Sequence, residues 1–322
     1  MKVSEVIAKI EKRFGREALV GHKIEVEFVS SGSIGLDIAM GGGYAKGRIA
    51  ELFGWESSGK STLALTLAAE IQKLGKKVVY IDMENALDVF YAEALGVNIS
   101  FEEGSNFILS QPDDGETALE IVREFLKSDE IGLIVIDSVG ALLPKAVIMG
   151  EAGDAKIGLA ARMMSSMLPT LLGDMKRTGC IVLFINQLRE KIGVMFGNPQ
   201  TTMGGKALGF YASQRLEVIK VGQEKDGDEA IANKTRVKVT KNKVAPPFKK
   251  CEFLIEYGTG IDKISELIQI GVDFSVIKKS GSWYSYGECK LGQGAAGVKI
   301  ILEDNPELLE EIKGKIFETL GL

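Results

Sequence analysis

The chain has 322 residues, of which 45% are hydrophobic and 26% charged, an ordinary globular composition that suits one large domain with appendages or two domains. A net charge of −5 gives no global pull toward nucleic acid, so any DNA site has to be a local basic groove. No apolar run reaches the ~18 residues that span a bilayer, and the opening MKVSEVIAKIEKRFG reads as a charged amphipathic helix rather than a signal peptide, so a cytoplasmic protein without a membrane partner is expected. Cys180, Cys251 and Cys289 are scattered without C-x-x-C spacing, and the single histidine, His22, has no clustered partners, which argues against a disulfide framework or a zinc site.

The first strong signal is RIAELF (48–53), a short apolar strand pattern, followed by GWESSGKS (54–61) and a helical run from Lys60 to Gly75. The middle stretch fits G-x-x-x-x-G-K-[ST] in the strand–loop–helix setting that this motif requires. Its glycines let the backbone curl into a nest of N–H groups, and the helix behind it points its positive end at the same spot, so a phosphate is stabilised twice. Contacts with a nucleotide are expected from Gly54, Glu56, Ser57, Ser58, Gly59, Lys60, Ser61 and Thr62. Among them Lys60 supplies a point charge to the β- and γ-phosphates and Ser61 a hydroxyl ligand for Mg²⁺.

Strand and helix patterns then alternate: KVVYID (77–82), ETALEIVREFLKS (116–128), LIVIDS (133–138), GLAARMMSSMLPTLLGDMKR (158–177) and IVLFIN (181–186). Near-continuous apolar strands between amphipathic helices predict an α/β fold with a mostly parallel central sheet covered on both faces. Asp137 closes LIVID where a phosphate-loop protein places its second Mg²⁺-associated carboxylate; taken alone an Asp at a strand end is more often a cap or turn residue, and the phosphate loop beside it reverses that order. Glu84, just past KVVYID, is the best candidate for polarising an attacking water, although a surface carboxylate reads equally well there. With no acceptor signature in view, the implied reaction is ATP hydrolysis with Mg²⁺. Farther on the period changes to two, and QRLEVIKV (214–221), a polar turn EKDGDEAIAN and TRVKVTKNKV (235–244) predict an antiparallel hairpin. From about Gly258 the chain reads as a small separate α/β lobe.

Two long glycine-containing segments leave the candidate nucleotide strands: PKAVIMGEAGDAKIG (144–158) and, after Gln187, LREKIGVMFGNPQTTMGGKALGF. In the second, Arg189, Lys191 and Lys206 suit backbone phosphates, and Ile192 or Phe196 can wedge against bases. The same composition also suits a mobile surface loop, and at this point both readings stay open.

GWESSGKS, YIDMENALD, LIVIDSVGALLPKA, GLAARMMS, FINQLREKIGVMFGNPQTTMGGKAL, FYASQRLEV and TRVKVTKNKVAPPFK, taken in order, resemble the bacterial RecA recombinase family from about Ser30 to Tyr257. The following GSWYSYGECKLGQG resembles that family's carboxy-terminal domain. The division implied is an N-terminal polymerisation segment (1–29), a P-loop ATPase core of RecA type (30–257) and a C-terminal α/β lobe (258–322). The resemblance implies a DNA-dependent ATPase that forms helical filaments on single-stranded DNA, pairs it with duplex DNA and exchanges strands in recombination and repair. Residue roles follow at matching positions. Glu84 activates water, Gln187 senses the γ-phosphate, and Asp88 and Tyr91 contact adenine. Arg162, Arg189, Lys191, Ile192, Phe196, Asn198, Gly204, Gly205 and Lys206 belong to DNA-binding segments. Lys241 and Lys243 reach the neighbouring protomer's ATP, which would make hydrolysis depend on assembly. Phe210 packs at the same interface, and Val6, Ile7, Ile10 and Phe14, on one side of the first helix, dock on a neighbour in head-to-tail contacts that build a filament.

Some positions depart from the resemblance. Trp55 stands where Pro is expected, Glu190 puts a negative charge where DNA should pass, Pro169 interrupts a helix in place of a basic residue, and Lys206 and Gly209 differ. The sequence ends at Leu322 without a long acidic tail, which leads one to expect easier nucleation on DNA and suits a phage-encoded or divergent member. Two alternatives share the core: a ring-forming helicase-like motor, and an ATP-regulated filament scaffold that activates the self-cleavage of a repressor without efficient strand exchange.

Overall fold

Strands form where β-branched and aromatic residues run without polar interruption, and helices where apolar residues recur every three or four positions. The structure, a computed structural model, describes residues 2–15, 19, 25–100, 102, 104–150, 158–190 and 200–320. The chain opens with α1 (Val3–Phe14), β1 (Phe28–Val29), α2 (Ile34–Met40) and β2 (Tyr44–Ala45). The alternating part comprises β3 (Ile49–Gly54), α3 (Lys60–Lys73), β4 (Lys77–Asp82), α4 (Val89–Ala94), β5 (Phe107–Ser110), α5 (Gly115–Phe125) and β6 (Ile131–Asp137). A 3-10 turn at Val139–Ala141, α6 (Lys145–Met149), α7 (Leu159–Thr178), β7 (Ile181–Glu190), β8 (Gln200–Thr202) and α8 (Ala207–Tyr211) follow. Next come β9 (Gln214–Asp226), β10 (Glu229–Asn242), β11 (Lys250–Glu256) and β12 (Gly260–Ile261). The last part holds α9 (Lys263–Asp273), β13 (Lys278–Ser280), β14 (Trp283–Tyr286), β15 (Cys289–Gln293), α10 (Ala295–Glu303) and α11 (Pro306–Leu320).

The central sheet has the order β12-β11-β10-β9-β3-β7-β6-β4-β5. From β9 to β5 all neighbours are parallel, whereas β10, β11 and β12 continue antiparallel beyond β9. Leu133, Ile134, Val135 and Ile136 are all fully buried, as strands covered on both faces require. Two apolar clusters result: α3 with one face of the sheet, and α5 and α7 with the other. Short polar side chains start the helices, for example Asp114, whose carboxylate accepts from Thr117 N at 2.7 Å ahead of α5.

Two local expectations change, and one holds through an unusual residue. The polar stretch after Val221 is not a long turn: β9 and β10 pair from Asp226 and Glu229 inward, leaving only two residues between them. The segment after Gln187 is likewise shorter than read, because β7 continues to Glu190 and β8 folds back on it. The helix expected over 158–177 forms as α7, which runs through Pro169 to Thr178. The proline ring lies on the exposed face, where water can satisfy the carbonyl that proline leaves unpaired.

A three-stranded antiparallel sheet, β13-β14-β15, packs with α9, α10 and α11 around a separate apolar cluster. Polar contacts of Lys299 and Glu266 help tie this lobe to the core. Lys299 on α10 donates to Glu256 and to Asp262, both at 2.8 Å. Glu266 on α9 is buried against the start of α2, accepting from Ser33 Oγ at 2.5 Å, Gly35 N at 3.0 Å and Ile34 N at 3.2 Å. Burial outweighs these donors, and with nearby Asp37 it pushes the Glu266 carboxyl up to about 7.

The folded chain therefore holds a proton that the unfolded chain releases near the ordinary glutamate value of 4.5. Stability from this group is fully present below that value and is lost as pH rises to about 7, with roughly 3 kcal/mol as the ceiling. Thermal melts across this window should decline with pH, and Glu266→Gln should flatten the slope; an unchanged slope in the variant rules Glu266 out as its source.

Candidate active site

The register of the parallel strands gathers the candidate nucleotide groups on one edge. Gly54 lies opposite Gln187, Asp137 opposite Ile185, and Asp82 opposite Asp137. A cleft of about 250 Å³ opens there, lined by Lys60, Ser61, Tyr80, Asp82, Glu84, Asp88, Tyr91, Asp137 and Gln187 among others. This is the carboxyl edge of an open α/β sheet, where ligands of such folds bind.

The phosphate loop fits tightly under the sheet. Gly59 turns at φ +100°, and a Cβ on Gly54 would meet Val218 O at 2.1 Å, so both glycines are sterically required. Trp55 leaves the loop in place, with its carbonyl accepting from Lys60 Nζ at 2.8 Å while Gly54 O accepts at 3.3 Å. Burial holds the Lys60 ammonium below the ordinary lysine range, partly offset by Asp137, Glu56 and Glu84. The Ser58 hydroxyl is buried without a hydrogen-bond partner among the described residues. A cation held by loop carbonyls, an orphaned hydroxyl and a glycine-lined concavity together fit a triphosphate.

Ser61 Oγ donates to Asp137 Oδ2 at 3.1 Å, and Tyr80 OH donates to the same oxygen at 2.7 Å. Burial raises the Asp137 carboxyl, while these two hydroxyls pull it down. No group of three His, Cys, Asp or Glu is arranged to hold a metal among the described residues. Ser61 and Asp137 thus fit a Mg²⁺ that takes its other oxygens from phosphate and water.

Asp82, which the sequence reading passed over, organises the next loop. Its carboxylate accepts from the backbone N of Glu84 at 3.3 Å and of Ala86 and Leu87 at 3.2 Å, and from Gln111 Nε2 at 3.1 Å. Its signal was in the sequence: KVVYID and LIVID both close on Ile-Asp. Glu84 projects from this pinned loop, and its Oε1 accepts from Ser138 Oγ and from Gln187 Nε2 at 3.4 Å. Asp88 caps α4 by accepting from Tyr91 N at 3.0 Å, and the Tyr91 hydroxyl lies 3.0 Å from Thr62 Oγ1. On the other flank of the loop, Tyr257 and Asn233, also unread in the sequence, line a hollow with Ser58, Gly59 and Tyr91.

Gln187 is linked to the segment that follows. Asn186 Nδ2 donates to Glu51 at 2.9 Å and to Met203 O at 3.1 Å, while its Oδ1 accepts from the N–H groups of Gln187 and Met203. Arg215 completes this buried network through Glu51 at 2.5 Å. Gly204 and Gly205 pack against Val139 and Ala161, and Arg189 Nε meets Met203 Sδ. Arg162, Arg189, Glu190 and Lys206 are exposed. Lys191, Ile192, Phe196, Asn198 and residues 151–157 lie outside the described residues.

Lys241 and Lys243 are not brought to this cleft. Lys241 pairs with Arg215 at the start of β9, and the adjacent Gln214 lies opposite Ala50, about 13 Å along the strand from Gly54. Lys241 Nζ donates to Gly209 O at 2.7 Å and Phe210 O at 2.9 Å, and Lys243 Nζ to Phe210 O at 3.3 Å. Phe210 is 70% exposed beside them. On α1, Val6 and Ile7 are exposed and Ile10 is partly covered.

The RecA N-terminal domain family matches residues 1–262 and the RecA C-terminal domain family residues 265–321. "Protein RecA" of Clostridioides difficile (strain 630) is 53% identical over 319 residues, covering 98% of this chain and 90% of the relative. That of Psychrobacter arcticus is 52% identical over 323 residues, with the same coverage. Among solved structures, the RadB recombinase superposes with a TM-score of 0.54 at 25% identity, covering 73% of this chain and 98% of the other.

Asp82→Ala removes the acceptor for three loop amides and should destabilise the fold by ~1–3 kcal/mol. Amide exchange at Glu84, Ala86 and Leu87 should speed up more than in β4; uniform acceleration throughout would mean that Asp82 does not pin this loop.

Proposed function

The chain belongs to the RecA family, and on that premise we propose that it is a DNA-dependent ATPase that assembles on single-stranded DNA and catalyses homologous pairing and strand exchange. The observation carrying this reading is the meeting of Ser61, Asp137, Glu84 and Gln187 around one cleft whose strand continues into the segment bearing Arg189. Relatives named RecA and the likeness to a recombinase favour this reading over a ring motor or a scaffold without strand exchange.

When bound, ATP with Mg²⁺ supplies the phosphoanhydride to be cleaved and a divalent charge that offsets its phosphates. Lys60 exchanges the carbonyls of Gly54 and Trp55 for phosphate oxygens. Ser61 and Asp137 hold the metal side, and Glu84, fixed through Asp82, orients water and accepts its proton. Gln187 donates to Glu84, so a change at the phosphates can be passed along β7 to Arg189 and, through Asn186, to Met203, Gly204 and Gly205. Tyr91 and Asp88, with Tyr257 opposite, bracket the base. Arg162, Arg189, Lys206 and the segment with Lys191, Ile192, Phe196 and Asn198 bind DNA. Lys241 and Lys243 lie on the far edge of the sheet and act on a neighbour's ATP, with Phe210 and the α1 residues Val6 and Ile10 at the contacts between copies.

ATP hydrolysis measured without DNA, with single strands and with duplex tests the whole reading. Single strands should stimulate strongly and lose their effect as salt rises; rates indifferent to DNA, with ATP still bound, overturn it. Glu84→Gln should keep ATP-driven DNA binding and lose about 100-fold in turnover, whereas wild-type turnover removes Glu84 from catalysis. Lys243→Ala should leave nucleotide binding intact and lower DNA-stimulated hydrolysis about tenfold or more; an unchanged stimulated rate discards the trans assignment.

A further inference from the structure

The edge of the sheet opposite the phosphate loop carries a groove of about 540 Å³ whose lining includes Arg48, Leu172, Lys176, Phe210, Tyr211 and Lys243. Two backbone junctions build it. Ser213 N donates to Ile49 O at 2.8 Å, and Ser213 O accepts from Lys243 N at 2.9 Å, so one residue ties the neighbour of Arg48 to Lys243. Gly47, at φ +67°, lies against the last turn of α7, where a Cβ would sit 2.9 Å from Met175 O and 3.4 Å from Lys176 Cα. That close approach sets Lys176 beside Arg48.

Arg48, Lys176 and Lys243 are exposed, and none forms a salt bridge among the described residues. The cleft on the opposite edge has the reverse sign, with Glu56, Asp82, Glu84, Asp88 and Asp137 around Lys60. Charge complementarity therefore selects one occupant for the groove, the nucleotide cleft of a second copy of this chain. Lys241 is a constrained member of the basic edge: two carbonyls engage its ammonium, and burial with Lys243 and Arg215 holds it below the ordinary lysine range. Arg48, in the same groove as Lys243, adds a planar fork of donors that matches phosphate oxygens.

We propose that Arg48, supported by Lys176, is a further cation that this chain contributes to the neighbour's ATP site, extending the pair Lys241 and Lys243 across the whole groove. The inference rests on the trans role assigned to those lysines. It gives Gly47 a functional reason, because any larger residue there would push α7 and Lys176 away from Arg48.

The test uses full-length protein on saturating single-stranded DNA at low salt. Arg48→Ala should lower turnover per bound copy about tenfold, with filament length by electron microscopy and ATP affinity unchanged, and Arg48→Lys should recover part of the loss. Lys176→Ala should fall about threefold. Filaments mixed equally from Arg48→Ala and Glu84→Gln should hydrolyse faster than either alone, because roughly a quarter of junctions join an intact Glu84 to an intact Arg48. A purely structural role within one chain gives no such rescue. Unchanged turnover, a loss without rescue in mixed filaments, or weaker assembly with normal turnover per bound copy each overturns the proposal. Lys243→Ala run in parallel separates the failures: if it too is unaffected or unrescued the trans reading falls, and if it alone is rescued only the role of Arg48 falls.

Discussion

Everything at the cleft depends on the register of four parallel strands. β3, β6 and β4 end within about two residues of one another and β7 passes between β3 and β6 at that level, so a phosphate loop, a glutamine and two aspartates from distant parts of the sequence meet without a dedicated scaffold. A slip of one residue would turn Asp137 and its Tyr80 bond toward the other face. Apolar strands covered on both faces discriminate weakly against such slips, because either face suits them. Buried Glu51 and Asn186 with half-buried Arg215 supply what the apolar residues lack: a polar match between β3, β7 and β9 that only one register satisfies. In isolation a buried carboxylate of this kind contributes little net stability, and its value lies in excluding alternatives.

The cleft also sets opposed charges close together. Its single ammonium is turned onto loop carbonyls, while half-buried Asp137 and its neighbours Asp82 and Glu84 crowd their negative charges together. On the reading proposed above, a chelated metal would relieve the carboxylates and phosphates the lysine, and binding either alone would leave part of the conflict standing.

How much of this was legible follows the range of the forces involved. The phosphate loop, the strand ending in Asp137 and the position of Glu84 are encoded locally, by glycine spacing and apolar runs, and could be read directly. Asp82 was missed because its task is to hold three backbone amides, a role that leaves no spacing signature beyond the repeated Ile-Asp. Tyr257 was missed because it reaches the loop from β11, more than one hundred and ninety residues beyond it in sequence, through strand order alone. The hairpin was misjudged in length: EKDGDEAIAN is polar because β9 and β10 run out into solvent, and a solvated strand looks like a turn when only hydropathy is read. The helix through Pro169 was legible despite the proline, since apolar spacing carries on past it and an outward-facing proline is tolerated where a buried one is not.

The placement of the cleft and the basic groove on opposite edges of one sheet has a consequence for symmetry. In a two-fold contact made through either edge alone, like would face like, cation against cation or carboxylate against carboxylate, so on the reading proposed above the groove of one copy meets the cleft of the next head to tail. An open stack built in this way keeps one surface of each kind unmatched, at opposite extremities. Such a stack carries a built-in arrow, and the two extremities differ in chemistry however many copies lie between them.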